Sequence, residues 1–201
     1  MIETAVELSN YAHEQGLYVL LSPFDTTRAD PDFLERYLRT VATEGHADRV
    51  RVFDTVGCAH PLAIQYLVKR VREITHLPVE IHCHNNFGLA TANTLAAVEA
   101  GVAVVDTVLN GMGEGTGNAP TEEVALALQL LYDIDLGLKF EKLYETSRLL
   151  QKLTKVKVQK HKAVVGENAF AIETGTIVAG WMANPFTAFP FLAELVGQSY
   201  K

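Results

Sequence analysis

VEIHCHN at residues 79–85 and VRVFDTVG at 50–57 share one plan. Each is a short, nearly continuous apolar run that breaks into polar residues at its C-terminal end. Such runs fit strands of a sheet buried on both faces. YVLLSPFD at 18–25 and VAVVDTVLN at 102–110 repeat it. The four starts are 23 to 32 residues apart, the length of a βα repeat.

Helical patterns fill the intervals. Asp30-Pro31-Asp32 opens one with a capping carboxylate and a first-turn proline, and FLERYLRTVATEG continues it. His60-Pro61 opens LAIQYLVKRVREI, ATANTLAAVEAG closes on Gly101, and TEEVALALQLLYD follows Pro120. FEKLYETSRLLQKL precedes a tail of different character from about residue 155.

Alternating strands and helices imply a parallel sheet, either open or closed into a barrel. Every strand here ends in functional residues: Asp25-Thr26-Thr27-Arg28, Asp54-Thr55, His84-Asn85-Asn86 and Asn110-Gly111. Chemistry at the end of each strand is the habit of barrels, whereas open sheets concentrate it at one switch point. The expectation is an α/β fold, a (β/α)8 TIM barrel. Four repeats are visible where eight are needed, so the sequence reads as the C-terminal half, about strands 5–8. The expected domains are 1–138, barrel, and 139–201, a helical post-barrel extension.

Composition excludes several functions. The 201 residues carry a net charge of −7, which argues against nucleic acid or an anionic membrane as partner. Lys152–Lys162 (KLTKVKVQKHK) reads as a solvated strand or loop edge. No apolar run reaches bilayer length, and the acidic, amphipathic N-terminal stretch is not a signal peptide. Two cysteines, Cys58 and Cys83, are too few for a disulfide framework and read as buried core thiols, Cys58 being the one closer to the site. A cytoplasmic protein is expected.

His82-Cys83-His84-Asn85-Asn86 carries the strongest chemical signal. Residues i and i+2 of a strand share a face, so the two imidazoles project together and Cys83 points away. They form half of a divalent-metal site, or else one hydrogen-bonds in the core and the other sits at the rim. The run Asn110-Gly-Met-Gly-Glu-Gly-Thr-Gly-Asn118 follows the next strand and would lie beside them. Its glycines permit close backbone approach, and no GK[ST] makes it a P-loop.

HCHNNFGLATANTLAAVEAG (82–101) followed by NGMGEGTGNAPTEEV (110–124) resembles a family of metal-dependent barrel synthases and lyases. It includes isopropylmalate, homocitrate and citramalate synthases and 3-hydroxy-3-methylglutaryl-CoA lyase. FDTVG (53–57), SPFDTTRADPDFL (22–34) and KAVVGENAFAIETG (162–175) are similar to further family segments in the same order. The resemblance implies an acyltransferase of amino-acid biosynthesis. A base takes an α-proton from acetyl-CoA, and the enolate attacks the ketone of a 2-oxo acid, with a metal stabilising enolate and alkoxide. Alternatives are a metal-dependent aldolase or lyase running the steps backwards, and a non-catalytic half barrel.

The resemblance also assigns residues. His82, His84 and Asn118 would bind Mg2+, Mn2+ or Zn2+. Thr55 and Glu173 would be catalytic, and Asp54, Thr55, Asn86, Gly113 and Glu114 would meet the substrates. Departures matter too. The family's D-x-T-L-R-D-G segment, source of a metal-binding Asp and a catalytic Arg, has no match, so the chain alone is expected to be a poor catalyst. Two family histidines are Ile172 and Ile177, and Phe24 stands where many synthases are acidic. The loop carries Glu114 and no cysteine, which favours the synthase branch. Open strand edges at the first and last repeats predict a homo-oligomer or pairing with a missing N-terminal half. The aromatic tail after Gly175 is expected to pack against such a partner.

Overall fold

The computed structural model describes residues 1–201, which divide into two compact units, Met1–Pro120 and Thr121–Lys201. In the first, α1 (Ile2–Glu14), β1 (Leu20–Leu21), α2 (Pro31–Glu44), β2 (Arg49–Asp54), α3 (Pro61–Thr75), β3 (Val79–Cys83), α4 (Ala90–Glu99) and β4 (Val104–Asp106) alternate strictly. The sheet order is β1-β2-β3-β4, and every pairing is parallel. These are consecutive βα units, as a (β/α)8 barrel uses them.

Local chemistry starts the helices where the sequence says. Asp30 accepts a hydrogen bond from Phe33 N at 2.9 Å, and Pro31 supplies the first turn of α2. Pro61 does the same for α3. The buried positions of α2 (Leu34, Leu38, Val41) and α3 (Ile64, Val68, Val71) recur every three or four residues, one apolar stripe on each. Under them lie Val50 and Val52 of β2 and Val79, Ile81 and Cys83 of β3, all essentially inaccessible to solvent. Each such side chain contributes about 1.5–3 kcal/mol by leaving water. Small residues bury α4 through Ala90, Ala96 and Ala97.

The opposite face of the sheet corrects the expectation of apolar burial on both sides. There β2 presents Arg49 and Arg51, β3 presents Glu80, and β4 presents Asp106. These charges alternate with apolar neighbours, so only the helix-facing side is a hydrocarbon core. The outer strands are also shorter than their apolar runs. Past Leu21, Pro23 has no N–H to donate to a ladder, and Asp25 turns the chain with φ +61°.

The second unit holds α5 (Thr121–Leu131), α6 (Leu143–Thr154), α7 (Gly175–Ala183) and three 3-10 turns. Ala125, Leu126, Phe140, Phe170, Ala193 and Val196 form its core. Phe170 packs against Phe189, Phe191 and Tyr200 with ring centroids 5.2–6.0 Å apart. Much of the aromatic tail therefore packs within its own unit, although Ile177 and Met182 remain exposed. Lys162 Nζ lies 2.7 Å from Glu123 and 3.4 Å from Glu122, tying the segment before Gly166 to α5. The basic stretch leaves α6 at Lys155, which has a left-handed conformation, and forms no strand. No helix is long and apolar enough to cross a membrane.

Candidate functional site

Parallel register sets the rows of the inner face. Arg51 pairs with Glu80 and Glu80 with Val104, and one row higher Phe53 pairs with His82 and His82 with Asp106. Glu80, almost fully buried, accepts from Arg49 Nη1 at 2.8 Å and from Arg51 Nε at 2.7 Å. Arg51 also reaches Asp106 at 3.6 Å. Asp106 Oδ2 lies 2.8 Å from His82 Nδ1. That hydrogen bond, with the Arg51 charge behind it, holds the Asp106 carboxyl below its usual range.

An ionised Asp106 fixes the imidazole. It accepts the Nδ1 proton of His82, which leaves the Nε2 lone pair directed away from the carboxylate. Asn118 Nδ2 donates to that Nε2 at 3.0 Å. His84, two residues on, has its ring centroid 5.1 Å from that of His82. Burial and the neighbouring His82 both push the His84 pKa down, which favours the neutral, ligating form.

Asn118 is placed by the glycine loop. Asn85 N donates to Gly117 O, Ala119 N donates to Cys83 O, and His84 and Asn118 form a bridge, so residues 117–119 run beside the end of β3. A Cβ at Gly113 would stand 1.8 Å from Asn118 Oδ1, and one at Gly117 would stand 1.9 Å from Gly111 O. Only glycine lets the loop fold onto its own last residue.

The donor set fits a divalent cation in kind: two imidazoles on one face and a carboxamide whose oxygen a half-turn about its last torsion would bring to the same spot. It contains no cluster of three His, Cys, Asp or Glu side chains around one point. Cys83 takes no part. It faces the helices, and burial pushes its thiol up to about 12.

The remaining expected residues separate. Thr55 Oγ1 accepts from Asp25 N at 2.7 Å, which keeps its own proton available to a ligand. Asp54, expected beside the substrate, ends β2. Its carboxylate is fully buried, accepting from Thr27 Oγ1 at 2.9 Å, Cys58 N at 3.1 Å and Ala59 N at 3.3 Å. It shapes the turn after β2. Asn86 donates to Val56 O at 2.9 Å and accepts from Thr116 Oγ1 at 2.7 Å, clamping two loops together at the rim. Gly113 and Glu114 are exposed on the loop, and Glu173 is exposed in the second unit. Cys58, expected to be buried, is exposed beside Thr27.

Asp106, Glu80, Arg49 and Arg51 were not singled out from sequence. The available signal was charge at alternate positions of otherwise apolar strands (Arg49-x-Arg51, Glu80-x-His82), which a purely apolar core does not produce. An aromatic wall also adjoins the histidines. The Phe24 ring lies tilted against Phe53 with centroids 4.9 Å apart, and the Phe53 centroid is 4.2 Å from that of His82.

Known proteins agree with this architecture. The chain is 47% identical over 197 residues to an (R)-citramalate synthase of Methanocaldococcus jannaschii, covering 98% of this chain and 40% of that protein. It is 44% identical over 201 residues to a 2-isopropylmalate synthase of the same organism, covering all of this chain and 39% of that one. The chain thus spans about two-fifths of the length of these relatives. The crystal structure of Bacillus subtilis HMG-CoA lyase superposes with a TM-score of 0.68 at 20% identity, over 78% of this chain and 56% of the lyase, a likeness of fold. With residues 1–150 matching the HMGL-like family profile, the chain belongs to the HMGL-like family.

Proposed function

We propose that this chain forms part of an enzyme that condenses an acyl-CoA, such as acetyl-CoA, with a 2-oxo acid. The observation that carries the reading is the meeting of His82, His84 and Asn118 at the end of β3, with Asp106 behind His82. His82 through Nε2, His84, and the Asn118 amide oxygen would hold Mg2+, Mn2+ or Zn2+. Bound there, the ion would supply Lewis acidity toward the carboxylate and ketone oxygens of the 2-oxo acid.

The side chains divide the other work. Asp106 keeps His82 in the tautomer whose lone pair faces the ligand. The Thr55 hydroxyl, its oxygen already held by Asp25 N, donates its proton toward the substrate carboxylate. Asn86, Gly113 and Glu114 contribute the rim over which substrates enter. Asp54 acts indirectly, by holding the turn that carries Thr55. Glu173 is a candidate catalytic carboxylate. In repeat terms α5 completes the unit begun by β4, so we assign 1–138 to the barrel and 139–201 to an extension.

Similarity to two synthases across nearly the whole chain favours condensation over cleavage, while likeness to the lyase is one of fold. The test is thiol release from acetyl-CoA by the full-length gene product, with a panel of 2-oxo acids and added Mn2+ or Mg2+. Release that depends on both the 2-oxo acid and His82 is expected. Cleavage of a 3-hydroxyacyl-CoA to acetyl-CoA and a carbonyl product, with no thiol release from the mixtures, would move the protein to the lyase side.

A further inference from the structure

We infer that Arg51 is a positioning residue for the cation site, acting on His82 through Asp106; this rests on the reading of His82 as a metal ligand. The case begins with register. Arg51 of β2 pairs with Glu80 of β3, one row below Phe53, His82 and Asp106. To meet Asp106 of β4, the Arg51 side chain has to pass over β3, and a guanidinium is long and forked enough to do so. Its Nε donates to Glu80 Oε1 at 2.7 Å. Its Nη2 touches the same Glu80 oxygen and stands 3.6 Å from Asp106 Oδ2. That Asp106 oxygen is the one 2.8 Å from His82 Nδ1. One cation thus spans two carboxylates, and the second of them orients the imidazole.

Glu80 keeps the fork in place. Almost fully buried, it gives Oε1 to Arg51 and Oε2 to Arg49 Nη1 at 2.8 Å, while the Arg49 guanidinium lies 5.3 Å from the Tyr18 ring centroid. With both oxygens taken, Glu80 cannot turn without leaving a cation unpaired, a costly state inside a protein. The guanidinium is therefore held along its Nε edge, with the Nη2 corner directed at Asp106. Without Arg51, the Asp106 carboxylate loses the charge that faces Oδ2 and gains freedom to turn from Nδ1. Losing a direct partner of a ligand imidazole weakens metal binding about 10- to 100-fold, so an effect passed through one more residue should be smaller, about 3- to 10-fold. An Arg51 that only fills and steadies the sheet would act whether or not Asp106 is present.

Calorimetry with Mn2+ alone on the full-length gene product separates the two roles. The proteins are the parent, Arg51→Met, Arg51→Lys, Asp106→Ala, both Arg51 changes combined with Asp106→Ala, and His82→Ala. Arg51→Met should bind about 3- to 10-fold more weakly than the parent. Combined with Asp106→Ala it should bind no more weakly than Asp106→Ala alone, because nothing is left for Arg51 to act on. Nitrogen-15 shifts of metal-free Arg51→Met should show the single His82 tautomer of the parent become a mixture. Arg51→Lys keeps a cation beside Glu80 and so decides the matter if Arg51→Met does not fold. Its ammonium cannot span both carboxylates, and it should bind as weakly as Arg51→Met. Parental affinity in either variant, or a loss that adds in full to that of Asp106→Ala, overturns the inference while the metal site stands. Mn2+ bound equally by the parent and His82→Ala, or by neither, overturns the metal reading and the inference with it.

Discussion

The two faces of the sheet in Met1–Pro120 are built from the same strands and do opposite things. Facing the helices, Val50, Val52, Val79, Ile81 and Cys83 are sealed from solvent and carry no charge. Facing inward, Arg49, Arg51, Glu80, His82 and Asp106 form one continuous polar relay. A strand assigns its residues to these faces by parity alone. The difference teaches that stability and chemistry are here separable at the level of single neighbours: Ile81 and His82 are adjacent in the chain and should fail in different ways.

The largest expected effect is on the helix side. Ile81→Ala should destabilise the protein by about 2–5 kcal/mol through lost burial and a residual cavity, read as a lower midpoint in urea. His82→Ala should leave that midpoint nearly unchanged in the absence of metal. Equal losses from both would show that the faces are not independent.

A second test uses Cys83 on the same buried side. Its folded pKa is raised from 9.0 to about 12, so the protonated thiol is what the native state prefers. Its contribution is complete below pH 9.0 and is lost as pH climbs toward about 12, by no more than about 1.4 kcal/mol per pH unit for one proton. Cys83→Ala should flatten that slope. At neutral pH a thiol reagent should modify Cys58 rapidly and Cys83 only after unfolding.

On the inner side, Asp106→Ala should weaken Mn2+ binding about 10- to 100-fold by freeing the His82 tautomer, with Asp106→Asn partly restoring it. Nitrogen-15 shifts of His82 report the tautomer directly, and a ring unchanged in Asp106→Ala would remove Asp106 from the site. The smallest effect is expected at the rim. Gly113→Ala should push Asn118 aside and cost Mn2+ affinity several-fold, with a melting temperature within a few degrees of the parent. A large loss of stability there would mean the loop belongs to the fold and not to the site.

Much of this was legible beforehand, for identifiable reasons. The βα repeat was, because each strand run ends at a turn residue and α2, α3 and α5 each begin at or just after a proline. The pairing of His82 with His84 was, because period two needs no tertiary knowledge. Their meeting with Asn118 followed from the resemblance. Asp106 was not legible, since its partnership with His82 depends on the register between β3 and β4 and no local pattern encodes register. Asp54 shows a second limit of local pattern. Its strand-end position reads as that of a carboxylate facing the substrate, while its partners, Thr27 from the loop after β1 and Cys58 N and Ala59 N from the turn after β2, come together only in the folded chain. The charged inner face is not legible locally, because the two arginines in RVRVF find their common partner Glu80 only across the β2–β3 pairing.

The glycine loop has a consequence for how such proteins diverge. Asn118 N donates to Gly111 O, which closes the loop at its base, and the residues from Met112 to Thr116 are all exposed outside that closure. A segment closed at its base behaves as a cassette. Apart from Gly113, whose missing Cβ leaves room for Asn118, its residues can be exchanged while the side chain at its foot keeps its place beside His82. Substrate range can then change quickly in one lineage without the cation-binding geometry having to be invented again.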